Sequence, residues 1–418
     1  MKCSITNVIF INLLVIGMGG YFYMMWSRRW TIPQRQDMPT TSPYDQEIYL
    51  YNRGYHMPLS NETLSRSKHS LPRPKIPSSN PHKVTLDSTE FRCLNNDSEG
   101  DCSKKTAKFR ELMLTHLSNS FEEESNVLRH SNNTYNVHYE GIREDFRGKS
   151  AKQVLCELLN TKFKTLKKSD INDDEAMRNS MPKREFFENK YFNSCVVVTS
   201  AGALRYSDLG RFIDSHEVVL RFNHAPTRHF RHDVGSKTTV RVLNSQVVTR
   251  PEFNFLTSPL YKNLTLVVWD PSNYSASLEE WLKRPEHNFI PNLMIYRKQE
   301  ARPRIFMVNP LTVWDVWDFL QRNSPRRLRK NPPSSGFLGL RLLLPHCSFV
   351  DVVEYVPSTR ASKRCHYFDP KENPACTFGA WHPLAAEKLL TYHFNEATDD
   401  DVFQKGFVRV SGFRNLKC

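Results

Sequence analysis

The sequence predicts an α/β fold over residues 151–418, a central and mostly parallel sheet flanked by helices. Three observations predict it. Short runs rich in β-branched and apolar residues, CVVVTS from Cys195, EVVLRF from Glu217, TTVRVL from Thr238, LTLVVW from Leu264 and VDVVEYV from Val350, read as strands buried on both faces. Between them, TVWDVWDFLQRN from Thr312 and SSGFLGLRLLL from Ser334 carry helical spacing. The alternation of the two patterns is the signature of βα units around a parallel sheet. A composition of 39% hydrophobic and 24% charged residues in 418 suits a globular core.

The chain before that region reads differently. Val8–Trp26 is a 19-residue span without a charge, followed by Arg28 and Arg29, long enough to cross a bilayer as a helix. No small-x-small exit follows it, so an uncleaved signal anchor is expected after a cytosolic tail of residues 1–7. Pro33, Pro39, Pro43, Pro58, Pro72, Pro74, Pro77 and Pro81 then block regular structure, and residues 27–150 read as a largely irregular, extended stem. Five N-x-S/T sequons, at Asn61, Asn96, Asn132, Asn263 and Asn273, and eight of the nine cysteines follow the anchor. Both features suit an oxidising lumen, which places residues 30–418 there.

The formal charge is +14, and residues 151–418 hold 39 Lys+Arg against 28 Asp+Glu. A basic domain attracts nucleic acid, membranes or small anions, but basic runs interleaved with stacking aromatics are missing, which disfavours nucleic acid. In Cys195–Gln246 the first strand halts at Thr199, Ser200, Ala201 and Gly202 before the amphipathic DLGRFI turn. Strand, tight loop and helix together offer backbone N–H groups to an anion, and Gly202 permits close approach. Pro332-Pro333-Ser334-Ser335-Gly336 opens a second helix, read either as a simple cap or as a second phosphate-facing end. Two such ends converge on one nucleotide in the second reading.

His382 precedes Pro383 and the helix LAAEKLLTYHF, which makes it the expected N-cap; the positive helix end disfavours an imidazolium there and leaves a proton acceptor. A structural cap is the alternative. Glu387 lies about 140° round the helix from His382 and is no obvious partner. Cys365, His366, Cys376 and His382 lack zinc-knuckle spacing, and a Cys365–Cys376 disulfide is expected instead. Asp399-Asp400-Asp401 formally matches D-x-D, a metal-holding pattern of nucleotide-sugar transferases, but sits in a polar stretch and reads as a solvated acidic turn. No metal site is expected.

Taken together, residues 150–418 resemble the eukaryotic sialyltransferases, closest to the β-galactoside α-2,6 group. Cys195–Gln246 resembles the family's long motif, Pro332–Cys347 its short motif, His366-Tyr367-Phe368-Asp369 its third motif, and His382 with Glu387 its final His-x4-Glu motif, all in the family's order. The resemblance implies a Rossmann-like variant of the glycosyltransferase A fold in a single-pass type II Golgi membrane protein. It implies CMP-sialic acid as donor and the 6-hydroxyl of a terminal galactose, or N-acetylgalactosamine, on glycoprotein N-glycans as acceptor, with inversion and no metal cofactor. Carried over residue by residue, Ser200, Asn223, Asn244, Ser334, Ser335, Gly336 and Thr377 would bind the donor, His382 would be the general base and His366 would serve the leaving phosphate. The same resemblance pairs Cys195 with Cys347 and Cys156 with Cys418; proximity alone pairs Cys93 with Cys102.

Two departures bear on specificity. The α-2,6 group has tyrosine and glutamine where this chain has His366 and Asp369, and typically tyrosine at Trp381. Asp369 and Trp381 are expected to border the acceptor. The alternatives are transfer in another linkage and a catalytically silent glycan- or nucleotide-binding protein that kept the fold.

Overall fold

The computed structural model describes residues 89–127, 133–172, 174–300, 303–370, 372 and 381–418. They belong to the second of two units, Leu50–Cys418. The apolar span Val8–Trp26, the proline-rich stretch, Cys376 and Thr377 lie outside the described residues.

Seven strands form one sheet: β1 (Phe192–Val198), β2 (Val218–Phe222), β3 (Val240–Asn244), β4 (Thr265–Trp269), β5 (Ile305–Met307), β6 (Cys347–Val353) and β7 (Phe407–Ser411). Their order is β5-β4-β3-β2-β1-β6-β7, parallel throughout except for the antiparallel edge strand β7. The expected mostly parallel sheet is present. The sequence reading did not find β5 and β7. β5 has three residues, too few for a pattern, whereas Phe407-Val408-Arg409-Val410-Ser411 carries a readable alternation.

Strand period 2 divides the apolar side chains between two helical layers. Cys195 and Val197 join a cluster with Phe337, Leu340, Trp314 and Leu390, while Val196 and Val198 join Ile213, Val247 and Leu293 on the opposite face. The helix Ser335–Leu343 lies across β1, β2, β3 and β6. Arg221 on β2 and Arg241 on β3 are each 1% exposed. They are held by backbone carbonyls: Arg221 by Val234 and Lys237, Arg241 by Asn223 and Ala225. Such charges tolerate burial only because carbonyls take up their N–H groups, and they shape the loop that follows β2.

The stem reading fails over part of its length. Glu99–Val127 is one 29-residue helix, and Phe109, Met113, Leu117 and Phe121, four residues apart, are 1–2% exposed. That stripe packs on the helices Leu384–His393 and Asp399–Phe403. Proline density was the wrong guide here, since the last proline before residue 150 is Pro81 and the spacing beyond it is helical. The acidic run Asp399–Asp401 forms the first turn of its helix, capped by Thr398; Thr106 donates to Asp400 and Arg110 pairs with Asp399.

Disulfides join Cys93 to Cys102, Cys156 to Cys418 and Cys195 to Cys347. The last ties β1 to β6, the neighbours between which the strand order reverses. Cys365 is also disulfide-bonded, and its expected partner Cys376 lies outside the described residues.

Candidate active site

In an open parallel sheet, ligands bind beyond the carboxyl ends of the strands where the strand order reverses. Here that point lies between β1, which continues to β2 on one side, and β6 on the other. Past these ends is a cleft of about 270 Å³, lined by Thr199–Gly202, Ser334–Gly336, Tyr355, Arg364–His366, His382 and Lys388 among others. Three of the four sequence motifs place side chains there through their loops, and the fourth contributes His382.

Two contacts draw the β1 loop against the third motif. Tyr367 N donates to Ser200 O at 3.1 Å, and Ala201 forms an isolated antiparallel bridge with His366. Gly202 has a different reason from the one expected. A Cβ on it would stand 2.6 Å from Arg364 Cβ and 2.7 Å from Ser362 Oγ, so the glycine admits the chain's own loop. The expected helix start after Ser200 is a 3-10 turn, Gly202–Leu204; the α-helix Gly210–Asp214 begins later and has five residues. The two convergent helix ends of the sequence reading therefore reduce to one, that of Ser335–Leu343.

That end is built as expected. Ser334 is the N-cap, its Oγ accepting from Phe337 N at 3.2 Å, and Trp269 Nε1 donates to Ser335 Oγ at 2.9 Å. At Gly336 a Cβ would meet the Tyr355 ring at 2.7 Å. Ser334 N donates to Glu387 Oε1 at 2.7 Å, while Ser334 Oγ and Tyr355 Oη donate to Oε2 at 2.5 and 2.6 Å. Glu387, 0% exposed, thus joins the final motif to the short motif. Burial pushes its carboxyl up to about 7, and the three donors pull the other way. The helical angle from His382 hid this role, because the partners of Glu387 come from another helix and a strand end.

His382 sits one position outside its expected place, for Pro383 is the N-cap of Leu384–His393. Its Nδ1 lies 2.8 Å from Pro332 O. A carbonyl only accepts, so Nδ1 carries the proton and Nε2 holds the lone pair. Burial lowers the imidazole to about 4, the Pro332 carbonyl opposing. The ring is neutral at pH 7 and can accept a proton. Trp381 packs edge-on against it at 4.5 Å, 38% exposed, and lies 6.3 Å from Tyr135.

His366 Nδ1 lies 2.8 Å from Asp369 Oδ2, which also accepts from His366 N at 2.8 Å, and the imidazole stacks on Phe368 at 5.1 Å. Asp369, expected at the acceptor side, is 5% exposed and turned to His366. Asn223 and Asn244 stand at the ends of β2 and β3 and do not line the cleft. Asn223 adopts a left-handed φ of 45° and accepts from Asn244 N at 2.9 Å; Asn244 caps the helix Ser245–Thr249. Cys365, His366 and Asp369 approach one another closely enough to suggest a metal cluster, but the Cys365 sulfur is in a disulfide and offers no thiolate.

The sequence reading passed over Lys388 and Arg364, which line the cleft. Burial lowers the Lys388 ammonium to about 8, still mostly charged at pH 7. It also passed over Tyr135, in the supposed stem, which lines a second cleft of about 580 Å³ with Ser272, Trp281, Arg284 and Glu286. Its only sequence signal is the short alternation Tyr135, Val137, Tyr139.

Residues 129–398 match the description Glycosyltransferase family 29 (sialyltransferase). A relative named Beta-galactoside alpha-2,6-sialyltransferase 2, from Bos taurus, is 46% identical over 225 residues, 54% of this chain and 46% of that protein. The Homo sapiens protein of the same name is 40% identical over 290 residues, 68% and 54%. Beta-galactoside alpha-2,6-sialyltransferase 1 from Homo sapiens is 40% identical over 293 residues, 69% and 71%. The chain spans about half the length of the first two. A solved mammalian sialyltransferase is 21% identical over 65% of this chain and 88% of its own, with a TM-score of 0.34; the sheet topology, not that superposition, carries the fold.

Proposed function

Because the chain belongs to glycosyltransferase family 29, the sialyltransferases, we propose that it moves sialic acid from CMP-sialic acid to the 6-hydroxyl of a terminal galactose, or N-acetylgalactosamine, on glycoprotein glycans. The observation that carries this reading is the convergence of Ser200, Ser334–Gly336, His366 and His382 on one cleft at the strand-order reversal. The names of the relatives support the 2,6 linkage. A Rossmann-like glycosyltransferase A variant is the fold reading that goes with it.

The chemistry follows from the groups in place. His382 Nε2 takes the proton of the acceptor hydroxyl as that oxygen attacks the anomeric carbon. The bond to the CMP phosphate breaks through an oxocarbenium-like transition state, and the configuration inverts. Ser335 N and Gly336 N, at the first helical positions, have no intrahelical acceptor and point the positive helix end at an anion. With His366, Arg364 and Lys388 they balance the charge that grows on the phosphate. Donor binding is assigned to Ser200, Ser334, Ser335 and Gly336, which line the cleft, and to Thr377 from the resemblance, while Asn223 and Asn244 order the ends of β2 and β3; a metal is not required. The apolar span Val8–Trp26, the sequons and the disulfides support a type II Golgi membrane protein with a luminal domain.

Incubating the full-length protein with labelled CMP-sialic acid and galactose- or N-acetylgalactosamine-terminated acceptors, with and without EDTA, tests the reading. Transfer unaffected by EDTA, a 2,6 product and a His382→Ala variant that binds CMP yet turns over at least about 10²-fold more slowly are expected. No transfer to any acceptor would leave a silent binding protein, and normal turnover by His382→Ala would remove the base assignment.

A further inference from the structure

We propose that Asp369 is the positioning residue of His366, acting on the leaving-group side of the reaction and not on the acceptor. The inference rests on the transfer reading above. Asp369 Oδ2 accepts from both the ring Nδ1 and the backbone N of His366, each at 2.8 Å. Its other oxygen is buried and, among the described residues, has no hydrogen-bond partner. Every hydrogen bond the carboxylate group makes there is therefore to His366.

The geometry has a chemical consequence. A carboxylate only accepts, so Nδ1 holds a proton on Asp369, and a proton for the leaving group comes from the second ring nitrogen of this cleft-lining residue. To donate to a departing phosphate from that nitrogen, the ring must carry a proton on both and a positive charge. Asp369 is the counter-charge held against it. Phe368, stacked on the imidazole with ring planes 7° apart, fixes the remaining rotation. The step balances: the anomeric C–O bond breaks with its electron pair going to the phosphate oxygen. His366 donates its proton there and becomes neutral while keeping Nδ1–H on Asp369, and the acceptor proton goes separately to His382.

A double-mutant cycle on the full-length protein tests this, using Asp369→Ala, Asp369→Asn, His366→Ala and the double alanine variant with CMP-sialic acid and a galactose-terminated acceptor. Asp369→Ala is expected to lower kcat about 10²-fold with acceptor KM little changed, and Asp369→Asn, which accepts but carries no charge, about 10-fold. The double variant should be no slower than His366→Ala alone, since residues acting as a unit are non-additive. Additive losses, or a raised acceptor KM at unchanged kcat, would overturn the proposal. If the wild-type protein transfers nothing, the transfer reading fails, and the pair is read without activity from ¹⁵N-histidine correlation spectra. A hydrogen-bonded Nδ1 proton on His366 that vanishes in Asp369→Ala supports the pairing, and its absence from the wild type refutes it.

Discussion

His382 and Glu387, five residues apart, are pushed in opposite directions by the same burial, because burial disfavours whichever form is charged. His382 is lowered from 6.5 to about 4, so between those values the unfolded chain binds more protons and stability rises with pH. That contribution is complete above 6.5 and lost as the pH falls through 4. Glu387 is raised from 4.5 to about 7, so its contribution is complete below 4.5 and lost as the pH rises through 7. Urea unfolding should therefore show His382→Asn losing part of the stability gain between pH 4 and 6.5, at most about 3 kcal/mol. Glu387→Gln should lose the decline between pH 4.5 and 7. For activity, a neutral His382 predicts that kcat/KM of the wild type keeps its base form down to about pH 4. An acid limb near 6.5 would mean that the imidazole is more exposed than its contacts imply.

At the scale of elements, the cleft depends on loops packed against loops. The turn Gly202–Leu204 follows β1 because Arg364 and Ser362 occupy the space a side chain would need. Gly202→Ala should displace residues 362–366, carry His366 with them and cost about 1–3 kcal/mol, as overpacking does. Thermal unfolding together with donor KM reads both effects; a variant with unchanged Tm and KM would show that the third-motif loop moves freely. The helix Ser335–Leu343 is the counterexample, an element whose start was legible from Ser334, Ser335 and Gly336 alone. Its capping groups are local in sequence, whereas the fit at Gly202 joins residues 160 positions apart.

At the scale of the molecule, two features hold the described chain together across long sequence separations. The Cys195–Cys347 disulfide closes 152 residues between the strands that flank the cleft. Replacing both cysteines by serine should lower stability by about 2–4 kcal/mol, measured by denaturant unfolding, with the cleft residues the first to lose protection from hydrogen exchange. The helix Glu99–Val127 adds a second tie, burying Phe109 against Phe91 and Phe403. Phe109→Ala should cost about 3–5 kcal/mol. A cost near zero would return this helix to the role of a tether.

The sequence by itself determined the buried strands and the capped helix at Ser334, and the order of its motifs carried the resemblance that implied the family and the cysteine pairs Cys195–Cys347 and Cys156–Cys418. The strands and the cap are properties of local pattern and spacing, which a chain carries before it folds. Only the tertiary structure decided what each polar group faces. It turned Asp369 toward His366, assigned the proton of His382 to Nδ1 through Pro332, joined Glu387 to Ser334 and Tyr355, and drew Glu99–Val127 out of the supposed stem. Hydrogen-bond partners and burial depend on which distant segments meet, and strand order sets that meeting only once the sheet has formed.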